Sequence, residues 1–383
     1  MLNRDKWLLS ILMLGAFGII NTEMGVIGLL PFAADHFGIS VSKAGLLVSV
    51  FALTVAISGP VMPLLFSGIN RKTAMLAVLG LFVLANIIAA YTSNFAVAIA
   101  ARIIPAIFHP IYFSAAFTIA ADSVKKEESH RAVSKVFIGV SGGMVLGVPI
   151  ASFLASNASY HIAMLFFALV NVIVLIATLI FFPSLPVKER LTYGEQVSVL
   201  RKPIVWLSIA AVLFLNSAIF GVYSYFAEYL KTVTNTPAKI IGLILVLFGA
   251  ANMIGNVLAG RLLSKDARKS IVSFPIALGI VYAGLFFLGP FLIPAAVLTL
   301  FWGILAGIGA AINQSWITSA APEAPDFANG LFLSSVNVGT TIGTAAGGWF
   351  ISGLGTQYVV LTGFLSLVLC LAFILWRINS EHF

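Results

Sequence analysis

The run WLLSILMLGAFGIINTEMGVIGLLP, Trp7–Pro31, is apolar for long enough to cross a bilayer and carries one acid, Glu23. A helix rises 1.5 Å per residue, so about 20 apolar residues span a hydrocarbon core of about 30 Å. A carboxylate at mid-bilayer costs about 3 kcal/mol or more, so it is rarely accidental. Glu23 is the only acid that lies well inside any apolar run of this chain, and it reads as a group that takes up and releases a proton.

The pattern recurs. Apolar runs fall at 7–31, 44–67, 74–91, 95–121, 134–156, 161–183, 204–230, 238–263, 270–290, 292–320, 328–353 and 356–376. They are continuous rather than alternating, so they read as helices and not as barrel strands. The expected fold is an all-α membrane protein with twelve transmembrane helices in two pseudo-symmetric six-helix bundles. The expected domains are 1–183, a cytoplasmic linker 184–203, and 204–383. Val187, Leu191, Tyr193 and Leu200 of the linker fit either a short amphipathic piece on the membrane or a solvated connection.

Composition agrees. Of 383 residues, 60% are hydrophobic and 9% charged, against about 25% charged in soluble chains. The net charge of +8 does not point to nucleic acid, because 17 of the 21 Lys and Arg residues fall on one side of the runs. Lys43, Lys231 and Lys239 fall on the other side and Arg102 inside a run. That asymmetry places both termini in the cytoplasm. The single Cys370 allows no disulfide framework. There is no phosphate-binding G-x-x-x-x-G-K-[ST] loop and no His/Cys cluster with metal spacing, so no cofactor or metal is expected.

The two halves resemble each other. An offset of 196 carries Gly143 and Gly147 onto Gly339 and Gly343, Lys72 onto Arg268, and Gly59 onto Gly255. Duplicated halves around a central site are the architecture of secondary transporters.

Depth arithmetic singles out three ionisable groups. Glu23 lies roughly 6 Å and Arg102 roughly 9 Å to the outer side of the midplane, with His109 near the midplane. Arg102 and His109 are seven residues apart and share a helix face, with Pro105 between them to loosen it. The functional reading is a proton site: Glu23 carries the proton, Arg102 is its charge partner, and His109 shares the proton or binds substrate. The bland reading is a static Glu–Arg pair with a bonded core histidine.

Amides and aromatics at depth supply candidate substrate contacts: Tyr112, Phe113, Asn216, Phe220, Tyr223, Asn313 and Asn337, beside His109. Helix bridging and core packing are the blander readings. Small residues at four-residue spacing let helices approach closely. Gly143, Gly147 and Pro149 therefore read as packing that also gates, as do Gly339 and Gly343. Gly139–Gly143 also matches G-x-S-x-G around Ser141, but that chemistry needs a strand-to-helix elbow, and here the residues lie in a helical run. No enzyme is expected.

These residues resemble the major facilitator superfamily, and within it the twelve-span drug:proton antiporter family, in the branch of sugar-efflux and arabinose-efflux-type permeases. The resemblance covers essentially the whole chain. It rests on Thr22-Glu23 followed by Gly28-Leu29-Leu30-Pro31, on Arg71-Lys72-Thr73 after the second run, and on Ala101-Arg102 through Phe108-His109. Gly147-Val148-Pro149 and Ala321-Pro322-Glu323-Ala324-Pro325 leading to Asn337 and Gly339 add to it. It implies a proton-coupling role for Arg102 and a gating role for Arg71 and Lys72. The chain departs from the pattern at Ser67 and Gly68, where the superfamily's loop motif has an Asp and an Arg, so its inner charge clamp is not expected in the usual form. Val148 separates Gly147 from Pro149, and a second acid in the first span is absent.

The expectation is a monomeric exporter in the bacterial inner membrane, working with protons, a small-molecule substrate (drug, sugar or nucleoside-like) and the lipid bilayer, and not with nucleic acid. A proton symporter for uptake on the same fold and a non-transporting membrane receptor are the alternatives.

Overall fold

The computed structural model describes residues 2–39, 41–187 and 192–380. Leu191 of the linker lies outside the described residues. Every regular element among them is helical. The first span is broken into Leu2–Gly25, a 3-10 turn Val26–Leu29 and Leu30–Phe37. The second is in three pieces, Val41–Ala44, Leu46–Ser58 and Met62–Phe66. The next four are unbroken: Arg71–Tyr91, Phe95–Asp122, Ser129–Asn157 and Tyr160–Phe181. The seventh is Pro203–Tyr223 continued by Phe226–Thr232. The eighth and ninth run together as Ala238–Leu288, turned at Asp266, whose backbone is extended. Leu292–Thr318, Pro325–Leu354 and Val359–Ser380 complete the twelve.

Nine described helices are long and apolar enough by themselves to cross a membrane. The other spans fall short for visible reasons. The second is cut at Gly59-Pro60, the eighth and ninth count as one, and the eleventh mixes its apolar residues with Gly, Ser, Thr and Asn.

Local chemistry sets the ends. Asn70, Asn94 and Ser159 cap the third, fourth and sixth spans by accepting from the backbone N–H of Lys72, Ala96 and Ile162. Gly38, with φ 63°, closes the first span in the left-handed conformation that only glycine adopts cheaply. In the fourth span Pro110 cannot donate to the carbonyl of Ala106, and the Ser58 hydroxyl donates there instead at 3.3 Å.

The chain gathers into two units. One holds the first six spans through Gln196, together with Ala324–Ser334 from the start of the eleventh span. The other holds Val197–Glu323 and the chain from Ser335 onward. The linker includes a short helix, Tyr193–Ser198, pinned within the first unit where Gln196 Nε2 donates to Ser67 Oγ at 2.9 Å.

Each unit contains the same close helix pair. In the first unit, a methyl on Gly143 would lie 2.8 Å from the Phe17 carbonyl oxygen, and one on Gly147 would lie 3.2 Å from that of Asn21. In the second, a methyl on Gly339 would lie 2.4 Å from the Leu213 carbonyl oxygen, and one on Gly343 would lie 2.4 Å from that of Ser217. Gly25 faces the Gly147 carbonyl as Gly221 faces that of Gly343. All three pairs are related by the offset of 196. The repeat is therefore one of contacts and not of composition alone.

Candidate functional site

The first span breaks where Glu23 sits. The α-helix ends at Gly25, and a helix's last four carbonyls lack regular i+4 donors. Arg102 of the fourth span supplies donors there: its Nη1 to the Thr22 carbonyl at 3.2 Å and its Nη2 to the Glu23 carbonyl at 3.1 Å. Its Nε donates to the Leu47 carbonyl of the second span at 3.0 Å, and the guanidinium lies 4.5 Å from the centre of the Phe51 ring. Arg102 is 4% exposed. The planar fork thus ties three spans together at the break.

This corrects the expected pairing. The guanidinium binds the backbone at Glu23, and the carboxylate turns to His109, with Oε2 3.1 Å from Nε2. That approach is within ion-pair range but outside hydrogen-bond alignment. Glu23 and His109 are 8% and 3% exposed. The His109 ring packs edge-on to Phe51 at 5.8 Å and against Phe113 at 4.6 Å. Phe51 therefore stands beside both the Arg102 guanidinium and the His109 ring.

A polar knot lies beside the acid. Asn86 Nδ2 and Asn171 Nδ2 donate to Thr22 Oγ1 at 3.1 and 2.9 Å, and Asn171 Nδ2 also lies 3.2 Å from the Gly18 carbonyl. These contacts join the third and sixth spans to the first just before Glu23. Asn21 is fully buried against Gly147, and neither of its amide atoms is paired among the described residues. Sequence reasoning missed Asn21, Asn86 and Asn171. The available signal was one amide in each of two otherwise apolar runs.

The other candidates divide. Tyr112 is fully buried with its hydroxyl against Gly15, where a methyl would overlap it, so its ring packs the first span against the fourth. Phe113 lines the histidine. Asn216 Nδ2 donates to the Val336 carbonyl at 2.6 Å and to Thr340 Oγ1 at 2.7 Å, so its amide bridges the seventh and eleventh spans. Tyr223 stacks on Phe248 at 4.7 Å and lies near Trp302 and Phe220. Phe220 and Asn337 are half-buried, and Asn313 is buried beside a small void with Trp316 and Cys370. Pro149 is exposed.

Arg71 has its carboxylate after all. With Ser67 in the loop motif, the acid comes from Asp326 of the first unit's distant segment, which forms an ion pair with Arg71. Thr118 Oγ1 donates to Asp326 Oδ1 at 2.8 Å, and Ser114 Oγ donates to the Asp326 carbonyl at 2.7 Å. Asn329 Nδ2 reaches Thr118 Oγ1 at 3.3 Å. Lys72 Nζ donates to the Leu179 carbonyl at 2.8 Å. Arg377, counted above with the cytoplasmic charges, is also buried. It donates to Ser208, Ser319 and the Trp316 carbonyl, with its guanidinium 3.7 Å from the Trp316 ring.

An all-helical chain of twelve spans that repeats its helix contacts at a fixed offset, with ionisable groups buried among its spans, has the architecture of a secondary transporter. The sequence model of the Major Facilitator Superfamily matches residues 12–325, and the chain belongs to that superfamily. It is 29% identical to the inner membrane transport protein YdhP of Escherichia coli K12 over 373 residues, 97% of this chain and 96% of that one. It is 28% identical to a Helicobacter pylori protein named "Probable sugar efflux transporter" over 354 residues, 91% of this chain and 90% of that one. The fold matches the crystal structure of the human organic anion transporter MFSD10 with a TM-score of 0.80 at 15% identity, over 97% of this chain and 99% of that one. The chain is thus a multi-span membrane transporter of a superfamily that handles small molecules.

Proposed function

We propose that this transporter exports a small organic compound in exchange for protons, by alternating access of its two halves, as a monomer in the bacterial inner membrane with both termini cytoplasmic. The observation that carries the reading is the buried contact between Glu23 and His109 at 3.1 Å, with Arg102 fixed to the same turn of backbone. Charge arithmetic supports it. A deprotonated Glu23, a neutral His109 and the permanent charge of Arg102 sum to zero. One proton brings the set to +1, whichever of the two side chains holds it. A second brings it to +2 in a low-dielectric setting, which is costly. On this reading the site carries a single exchangeable proton.

His109 shares that proton or binds substrate, and its ring also touches Phe113. Tyr223, Phe220 and Asn337 are partly buried aromatic and amide groups of the second unit. Aromatic and amide groups suit a drug, sugar or nucleoside-like compound, and the name of the Helicobacter pylori relative supports a sugar.

The test is transport of a labelled compound panel in proteoliposomes under an imposed pH gradient. The wild type is expected to move substrate against the proton flux. Glu23→Gln is expected to lose gradient-driven transport while keeping gradient-independent exchange. Gradient-driven transport at the wild-type rate by that variant would sink the reading. Flux in the same sense as the protons would make the protein an uptake symporter.

A further inference from the structure

The turn between the eighth and ninth spans holds a cavity of about 410 Å³ lined by Asp266, Arg268, Lys269, Val272, Ser273 and Ile276. Nothing in the transport reading uses it. Its lining holds two cations, Arg268 and Lys269, against one acid, Asp266, and the preceding residues add Arg261 and Lys265; all five are exposed. The acid is engaged by the backbone, since Asp266 Oδ1 accepts from the Lys269 N–H at 2.9 Å. Among the described residues, no ion pair takes up Arg261, Lys265 or Lys269.

Below the rim the wall is apolar. Val272, Ile276 and Ile280 follow at four-residue spacing and share a helix face, with Ile276 53% and Ile280 68% exposed. Isoleucines so exposed on a spanning helix face acyl chains. The charge asymmetry of the chain assigns this turn to the cytoplasmic side. The cavity therefore joins a cationic rim at headgroup level to an apolar helix face at chain level.

We propose that this cavity seats one anionic phospholipid of the inner leaflet. Its phosphate lies against Arg268 and Lys269, and an acyl chain runs along Val272, Ile276 and Ile280. Charge complementarity selects the anionic lipid over a zwitterionic one, because the lining carries two cations against one acid and Arg261 and Lys265 precede it in the same turn region.

Native mass spectrometry of the full chain in detergent tests this, with dioleoylphosphatidylglycerol and dioleoylphosphatidylcholine titrated separately. Phosphatidylglycerol is expected to bind more tightly. The double variant Arg268→Gln/Lys269→Gln should weaken it by roughly fivefold per charge removed and leave phosphatidylcholine unchanged. Ile276→Asn should weaken both lipids. Lys125→Gln/Lys126→Gln removes the same charge from another exposed turn on the same side and should leave phosphatidylglycerol binding within about twofold. Lys269→Gln alone serves if the double variant is poorly folded. Equal loss in both double variants, or no preference between lipids in the wild type, overturns the site. Displacement of phosphatidylglycerol by inorganic phosphate at equal concentration overturns the lipid assignment.

Discussion

Arg102 acts on backbone, and that makes its shape matter as much as its charge. Three carbonyls on two spans need a planar fork, which lysine lacks. Arg102→Lys keeps the charge but cannot reach all three acceptors. It is expected to lower stability by about 2 kcal/mol or more and to reduce gradient-driven transport, both read from Tm in detergent and flux in proteoliposomes. Recovery of both by lysine would show that only the charge counts. His109→Gln tests the acid's contact from the other side. It removes the imidazole 3.1 Å from Glu23 and keeps a polar side chain of similar reach. On the proposed coupling, the pH dependence of transport is expected to change more than the affinity for substrate. An unchanged pH profile would make His109 a packing residue.

At the scale of elements, identical substitutions should have opposite effects. Gly143 and Gly339 each face a carbonyl oxygen of the neighbouring span, whereas Gly80 has nothing within 4 Å of an added methyl. Gly143→Ala and Gly339→Ala force backbones apart and are each expected to cost about 1–3 kcal/mol. Their costs should be similar, because the 196-residue repeat gives them equivalent partners. Gly80→Ala is expected to stabilise its helix by up to about 1 kcal/mol. Thermal unfolding of the three variants decides. The inner latch belongs to the same scale. The side chains of Arg71 and Asp326 are 19% and 9% exposed, so Asp326→Asn leaves a mostly buried cation without its partner. The expected cost is about 3 kcal/mol, partly recovered by the exchange Arg71→Asp/Asp326→Arg. No recovery in the exchange would show that Thr118 and Ser114, and not the charge pair, hold Asp326.

For the whole molecule, charge asymmetry makes a topological statement. A fluorescent protein fused after Phe383 is expected to fluoresce in the cytoplasm, and alkaline phosphatase fused there is expected to be inactive. The opposite result would reverse every inside and outside assigned above, including the face on which the lipid cavity opens. The span count was legible because a bilayer imposes a length and a polarity that single residues report. The second and eleventh spans show where that signal thins: one is cut by Gly59-Pro60, and the other carries its glycines in the helix pair with the seventh span.

By itself the sequence determined the helical class, the twelve spans and the repeat, and singled out Glu23, Arg102 and His109 as ionisable groups within apolar runs. Each follows from periodicity, length or charge, which are additive along a chain. Only the tertiary structure decided who meets whom. Two groups at one depth can face different neighbours, because partner choice depends on helix rotation and on where the backbone breaks. So Glu23 turned to His109, Arg102 took the carbonyls that the break at Gly25 left open, and Arg71 found Asp326 far along the chain.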